Sequence, residues 1–201
     1  LNKEFIEYLN LEGVNVTDFN FSGFINLKGL NLKCARNLTA VQFNAIPSDV
    51  KLSIESLYLG GINTAGFDFS GFINLKSLSC DRSLLVAQLN SVEFNAIPQA
   101  SIEVLNLSGR VVGMDFTNFN FSGFTKLKIL NLSKARGLSA EQFNAIPQNV
   151  KASIESIYLD YVNCTGFDFS GLINLKILNL SLSRGLTAAQ FNAIPQEVKA
   201  S

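Results

Sequence analysis

Apolar residues along this chain fall into eight hexads of the form L-x-x-L-x-L, with Ile standing for Leu at several positions. Four begin at Leu27, Leu75, Leu127 and Leu175, and four at Ile6, Ile54, Ile102 and Ile154. The last two apolar residues of each hexad flank a single position, the alternation of a half-buried strand. The middle residues, Leu9, Leu30, Leu57, Leu78, Leu105, Leu130, Ile157 and Leu178, are separated by 21, 27, 21, 27, 25, 27 and 21 residues. One such unit cannot bury its apolar face until a neighbour stacks on it, so this spacing predicts a solenoid of eight coils.

Two phrases mark the unit of about 48 residues. FNAIP stands at 43–47, 94–98, 143–147 and 191–195, always in a long coil. Ahead of it, Thr39 with Gln42, Ser139 with Gln142 and Thr187 with Gln190 have capping-box spacing, which predicts a short outer helix that Pro then stops. In the second unit Asn90 and Glu93 supply the box. Three residues are inserted before it and three are missing after Pro98, so the coil keeps its 27-residue length. The short coils carry FNFSGF or FDFSGF/L from Phe19, Phe67, Phe119 and Phe167. Stacked coils should gather these rings into a buried aromatic spine, with Ser-Gly making a tight turn. The segment 110–119 has four extra residues and predicts one bulging loop in the series, a contact site or a tolerated insertion.

Composition narrows the function. Sixteen basic and sixteen acidic residues give a formal net charge of zero, so bulk charge draws the chain neither to nucleic acid nor to an anionic membrane. No apolar run approaches the roughly 18 residues of a membrane span, and no leader pattern opens the chain. It starts without Met, which we read as a processed end or a piece of a longer array. Cys34, Cys80 and Cys164 are odd in number and unclustered, which favours reduced thiols in a cytosolic environment.

The hexads resemble those of leucine-rich repeat proteins, and the resemblance covers essentially all of residues 1–201 as one domain. Seven of the eight hexads fit the signature, Cys80 ending the exception. The long coils, such as LKILNLSKARGLSAEQF from Leu127, resemble the cysteine-containing subtype, with Ala35, Ala135 and Ser183 in its small-residue position. The short coils resemble compact bacterial subtypes. IPxxxxxSIESLYL is also similar, more distantly, to repeats of bacterial effectors delivered into host cells and of amoebal proteins with FN-and-IP repeats. The resemblance implies an α/β leucine-rich repeat solenoid, a curved horseshoe with a parallel sheet on its concave face and short helices and loops on its convex face. It also implies that the concave face binds another protein.

Strands about 4.8 Å apart would turn equivalent residues into columns about 34 Å long. The column between the last two apolar hexad positions is mostly Asn, including Asn106 and Asn131, suited to a ladder between neighbours or to a ligand. Tyr58 and Tyr158 interrupt it, and exposed Tyr is a common interface anchor. With Tyr8, Tyr161, Asp81 and Asp160 nearby, these are the candidate contacts. Three positions before this column, Glu7, Lys28, Glu55, Lys76, Glu103, Lys128, Glu155 and Lys176 alternate in sign, so that each should face opposite charges on both sides and fix the register. Arg36, Arg82, Arg136 and Arg184 recur after the strands of the long coils, placed to bond carbonyls of the next turn or to meet an acidic partner.

Chemistry is sparse. The chain has no His, which removes the commonest general base and most zinc sites. Asp68 and Asp168 stand where the other units have Asn20 and Asn120, so neither has the partner that acid–base work needs. Nothing positions a base beside Cys34 or Cys164. N-x-[ST] motifs such as Asn37-Leu38-Thr39 arise from the repeat itself. We therefore expect no enzyme activity, no cofactor and no metal. The expected function is binding of a protein partner. The alternatives are the recognition part of a larger effector enzyme and an end-to-end self-assembling array.

Overall fold

The computed structural model describes residues 2–81, 89–109 and 116–195. Arg82, the first half of the inserted loop (110–115) and the last six residues, 196–201, lie outside them. Eight three-residue strands form one sheet: β1 Tyr8–Asn10, β2 Gly29–Asn31, β3 Ser56–Tyr58, β4 Ser77–Ser79, β5 Val104–Asn106, β6 Ile129–Asn131, β7 Ser156–Tyr158 and β8 Ile177–Asn179. All neighbours are parallel and follow chain order, so the chain advances one strand per turn. The register pairs the hexads position for position, for example Leu30 with Leu57 and Asn131 with Tyr158.

Each hexad is a strand with its apolar side turned in. In the six internal hexads every apolar position except Cys80 is at most 3% exposed. Burying one such side chain stabilises by about 1.5–3 kcal/mol, which is how three-residue strands persist.

Short helices occupy the other side of the long coils: α1 Ala40–Asn44, α2 Ser48–Ser53, α3 Ser91–Asn95, α4 Ala140–Asn144, α5 Gln148–Ser153 and α6 Ala188–Asn192. All four capping boxes form as the spacing requires, at Thr39, Asn90, Ser139 and Thr187. The role assigned to Pro needs correcting. The FNAIP helices end at Asn44, Asn95, Asn144 and Asn192, three residues before each Pro. Pro47 and Pro147 instead open a second helix, because their fixed φ suits a helix entry whose N–H has no intrahelical acceptor. After Pro98, where three residues are missing, only a 3₁₀ turn, Gln99–Ser101, fits.

The aromatic rings are buried as expected but form separate clusters, not one continuous spine. Phe43, Phe67, Phe69 and Phe72 make one, Phe94 with Phe116, Phe119, Phe121 and Phe124 another, and Phe143 with Phe167 and Phe169 a third. Each of these three joins a long coil to the short coil after it, while Phe19, Phe21 and Phe24 pack together within the first short coil.

Asn in FNAIP completes that joint. Asn44 donates its amide to the Gly66 carbonyl at 3.0 Å and accepts from the Asp68 N–H at 2.8 Å. Asn144 repeats this with Gly166 and Asp168, and Asn95 with Asn118 and Asn120. The capping-box residue reaches the other way: Gln42 donates to the Val16 carbonyl at 2.9 Å, and Glu93 accepts from the Gly66 N–H at 2.6 Å.

Among the described residues, no helix is long and apolar enough to cross a membrane.

Candidate functional site

The polar face of the sheet is built by the middle column. Where the column is Asn, the side-chain oxygen accepts the backbone N–H two residues on: Asn10 from Glu12, Asn31 from Lys33, Asn106 from Ser108, Asn131 from Ser133 and Asn179 from Ser181, all at 2.9–3.0 Å. These oxygens therefore turn the chain out of each strand. The ladder expected between neighbours is only partial. Asn106 donates to the Ser79 hydroxyl at 3.2 Å and Asn179 to Asp160 at 3.3 Å. Among the described residues the amide of Asn131 meets no acceptor, so of the two Asn candidates it keeps the free donor.

Tyr58 and Tyr158 stand in register in this column, next to Asn31 and Asn131 respectively. Both are half-buried, so their rings are partly fixed by packing while an edge remains available. Among the described residues neither hydroxyl has a hydrogen-bond partner. They lie four strands apart, about 19 Å, flanking Ser79, Asn106 and Asn131. Tyr8 is 55% exposed on the first strand, its ring lying over the space that a side chain at Gly29 would take.

The two acidic candidates are engaged internally. Asp81 forms an ion pair with Lys33 at 2.8 Å, across the third strand, above a buried Gly60 that leaves room for it. Asp160 accepts bonds from the Ser133 hydroxyl and the Asn179 amide. Both shape the rim of the face and have little left for a partner.

Charges in the ladder face opposite charges on both sides as expected, Lys28 those of Glu7 and Glu55 and Glu103 those of Lys128 and Lys76, but among the described residues close contacts form on one side of each. Ion pairs join Glu7 to Lys28, Glu55 to Lys76, Glu103 to Lys128 and Glu155 to Lys176, at 2.8–2.9 Å. Among the described residues no equivalent contact closes the alternate gaps, such as Lys28 to Glu55. Bonding and charge from Lys128 hold Glu103 below the usual carboxylate range, and Lys176 does the same for Glu155.

Tyr161 does not join the other tyrosines. It lies past the end of β7, beside Arg136 and Arg184, and the Lys134 amine sits 5.6 Å from its ring centre. Of the described arginines in the row, Arg36 bonds a carbonyl, but that of Gly13 on the preceding coil, not the next one. Arg136 and Arg184 are exposed, with no side-chain hydrogen bond or ion pair to described residues.

Two of the three thiols, Cys80 and Cys164, are unsuited to nucleophilic work. Burial, with a smaller effect from Asp81, pushes Cys80 up to about 12, and burial pushes Cys164 up to about 11. Both are protonated at neutral pH, and a thiol is a poor nucleophile in that form. Asp68 and Asp168 accept the Ser70 and Ser170 N–H groups, as Asn20 and Asn120 accept those of Ser22 and Ser122. This is a turn that needs only an acceptor, and it explains why Asn and Asp exchange there. Among the described residues, no three acidic or thiol groups are gathered as a metal site.

No protein-family model matches the chain, and a search of curated proteins finds no match either.

Proposed function

We propose that the chain is a leucine-rich repeat module that binds a partner protein through the polar face of its sheet and catalyses no reaction. The observation that carries this reading is the pair Tyr58 and Tyr158. Two half-buried rings, whose hydroxyls have no partner among the described residues, flank a polar column in which the Asn131 amide likewise meets no described acceptor. A partly fixed Tyr offers area and a hydrogen bond at low entropic cost, which is why such residues dominate many interfaces. The hexads, the one-strand-per-turn sheet and the outer helices support the family assignment, and the absence of His supports a binding role over catalysis.

The test compares the chain with Tyr58→Ala/Tyr158→Ala, verified as folded by circular dichroism, in capture from lysates of the source organism and of candidate host cells. The captured protein is then purified and titrated against both forms. Each substitution should cost about 2 kcal/mol of binding. Equal affinity of the two forms would overturn the assignment of the face.

A further inference from the structure

We propose that the groove beyond the ends of β7 and β8 is a docking site for an acidic peptide segment of a partner protein. The peptide would place an apolar side chain against Tyr161 and Leu182 and carboxylates against Arg136 and Arg184. The proposal rests on the protein-binding reading above and adds a second surface, off the sheet face, with a defined partner chemistry.

The groove has a volume of about 370 Å³ and is lined by Arg136, Tyr161, Val162, Asn163, Leu182 and Arg184. Among the described residues its charge is uncompensated. Neither guanidinium has a partner among the described residues, and Lys134 adds a third cation over the Tyr161 ring. The five ion pairs seen among the described residues all lie elsewhere. Asp160, the carboxylate next in sequence, is held by Ser133 and Asn179.

Tyr161 is in a backbone conformation that bulky side chains rarely adopt, with φ 61°, while Leu182, with φ 57°, shares the left-handed backbone that Cys34 and Lys134 have at its place in other long coils. At the position of Tyr161, four residues past the mid-hexad apolar residue, the other units have Gly13, Gly61 and Gly109, and the first two share its left-handed backbone. Core packing does not offset this unfavourable choice, since Tyr161 is 50% exposed; Leu182, in the same groove, is 67% exposed. Backbone strain that the core does not compensate, at a side chain facing a cavity, points to a role outside folding.

The chemistry selects the ligand. Guanidinium groups take carboxylates in paired charge-assisted bonds. The Tyr and Leu surfaces between them suit an apolar side chain next to those carboxylates. A nucleic-acid backbone would instead favour a broad basic surface, and the chain has a formal net charge of zero.

The test is fluorescence anisotropy with a labelled hexapeptide in which four Asp or Glu residues flank a Phe-Leu pair. Probes for comparison are its Asn/Gln counterpart and a labelled octamer of thymidylate. The acidic peptide should bind the chain in a salt-sensitive manner and more tightly than either comparison probe. Arg136→Gln/Arg184→Gln should weaken it about tenfold or more. Tyr161→Gly restores the residue of the sister coils and so preserves the fold; it should weaken binding about fivefold. Tyr58→Ala/Tyr158→Ala should leave peptide affinity unchanged, which separates this groove from the sheet face. The proposal is overturned by no binding at about 1 mM peptide, by equal binding of the neutral peptide, by tighter binding of the oligonucleotide, or by unchanged affinity in the Arg and Tyr161 variants.

Discussion

Phe43 lies flat on Phe67, with 4.1 Å between ring centres and 13° between ring planes. Phe94 on Phe119 and Phe143 on Phe167 repeat the geometry at 4.2 and 4.3 Å. Each pair links the first residue of an FNAIP to the first Phe of the next FSG phrase, so the two repeated phrases are the two halves of one joint.

Phe143 is fully buried in its joint, and Phe143→Ala should cost about 3–5 kcal/mol of stability. Phe191 holds the same place in the last FNAIP but is 48% exposed. Phe191→Ala should cost less than half as much. Urea unfolding of the two variants side by side checks the ranking, and equal losses would mean that the stacked ring contributes little.

The adjacent Asn makes a finer prediction. Asn144 uses both halves of its amide, donating to the Gly166 carbonyl and accepting from the Asp168 N–H. Asn144→Asp keeps the acceptor and loses the donor, so it should destabilise by about 1 kcal/mol, as should Asn144→Ala. Asn20→Asp, at a turn that uses the acceptor alone, should be close to neutral at pH 7. Thermal unfolding of the three variants separates the two kinds of Asn.

Acid should expose the same turns. Hydrogen bonds from Ser70 hold Asp68 below its ordinary value of 3.8, and those from Ser170 do the same for Asp168. Because the folded values are depressed, this stabilisation is fully present above 3.8 and is lost as pH falls through the folded values. Asp68→Asn/Asp168→Asn keeps the acceptors and removes the titration. Its urea midpoint should therefore drop less than that of the wild type between pH 7 and about pH 2.5. Glu103 and Glu155, also depressed, keep the drop from vanishing.

Gly60 is required for space, its φ being outside the left-handed region. A methyl group there would collide with the backbone carbonyl and the carboxylate of Asp81, which is paired with Lys33 across it. Gly60→Ala should destabilise by about 1–3 kcal/mol. Lys33→Met in that background should add little, since the pair is already broken, and a double-mutant cycle reads this directly.

Much of this architecture is written locally. Leu27, Leu30 and Leu32 announce a strand and its buried side within six residues, and Thr39 with Gln42 announces a helix start within four. What the sequence left open depends on contacts between coils or on a choice between two local roles. Pro47 can end one helix or open another, and the deciding feature is that the previous helix has already stopped at Asn44. The Lys33–Asp81 pair joins residues just past the second and fourth strands, and the small Gly60 between them leaves room for it. Tyr161 reads like Tyr58 and Tyr158 by residue type, but it sits three positions beyond its strand, where left-handed backbone turns it to the edge. One signal was available for it: the other units all have Gly at that place.

The helices of the long coils hold on in both directions, Gln42 backward to Val16 and Asn44 forward to Gly66, while the short-coil turns are held from either side. A duplication or loss of a single coil would set two gripping coils, or two gripped ones, face to face. Only a change of one whole unit, about 48 residues and two strands, rejoins like to like. The array is thus quantised: its reach can grow or shrink in steps of about 10 Å with every seam intact.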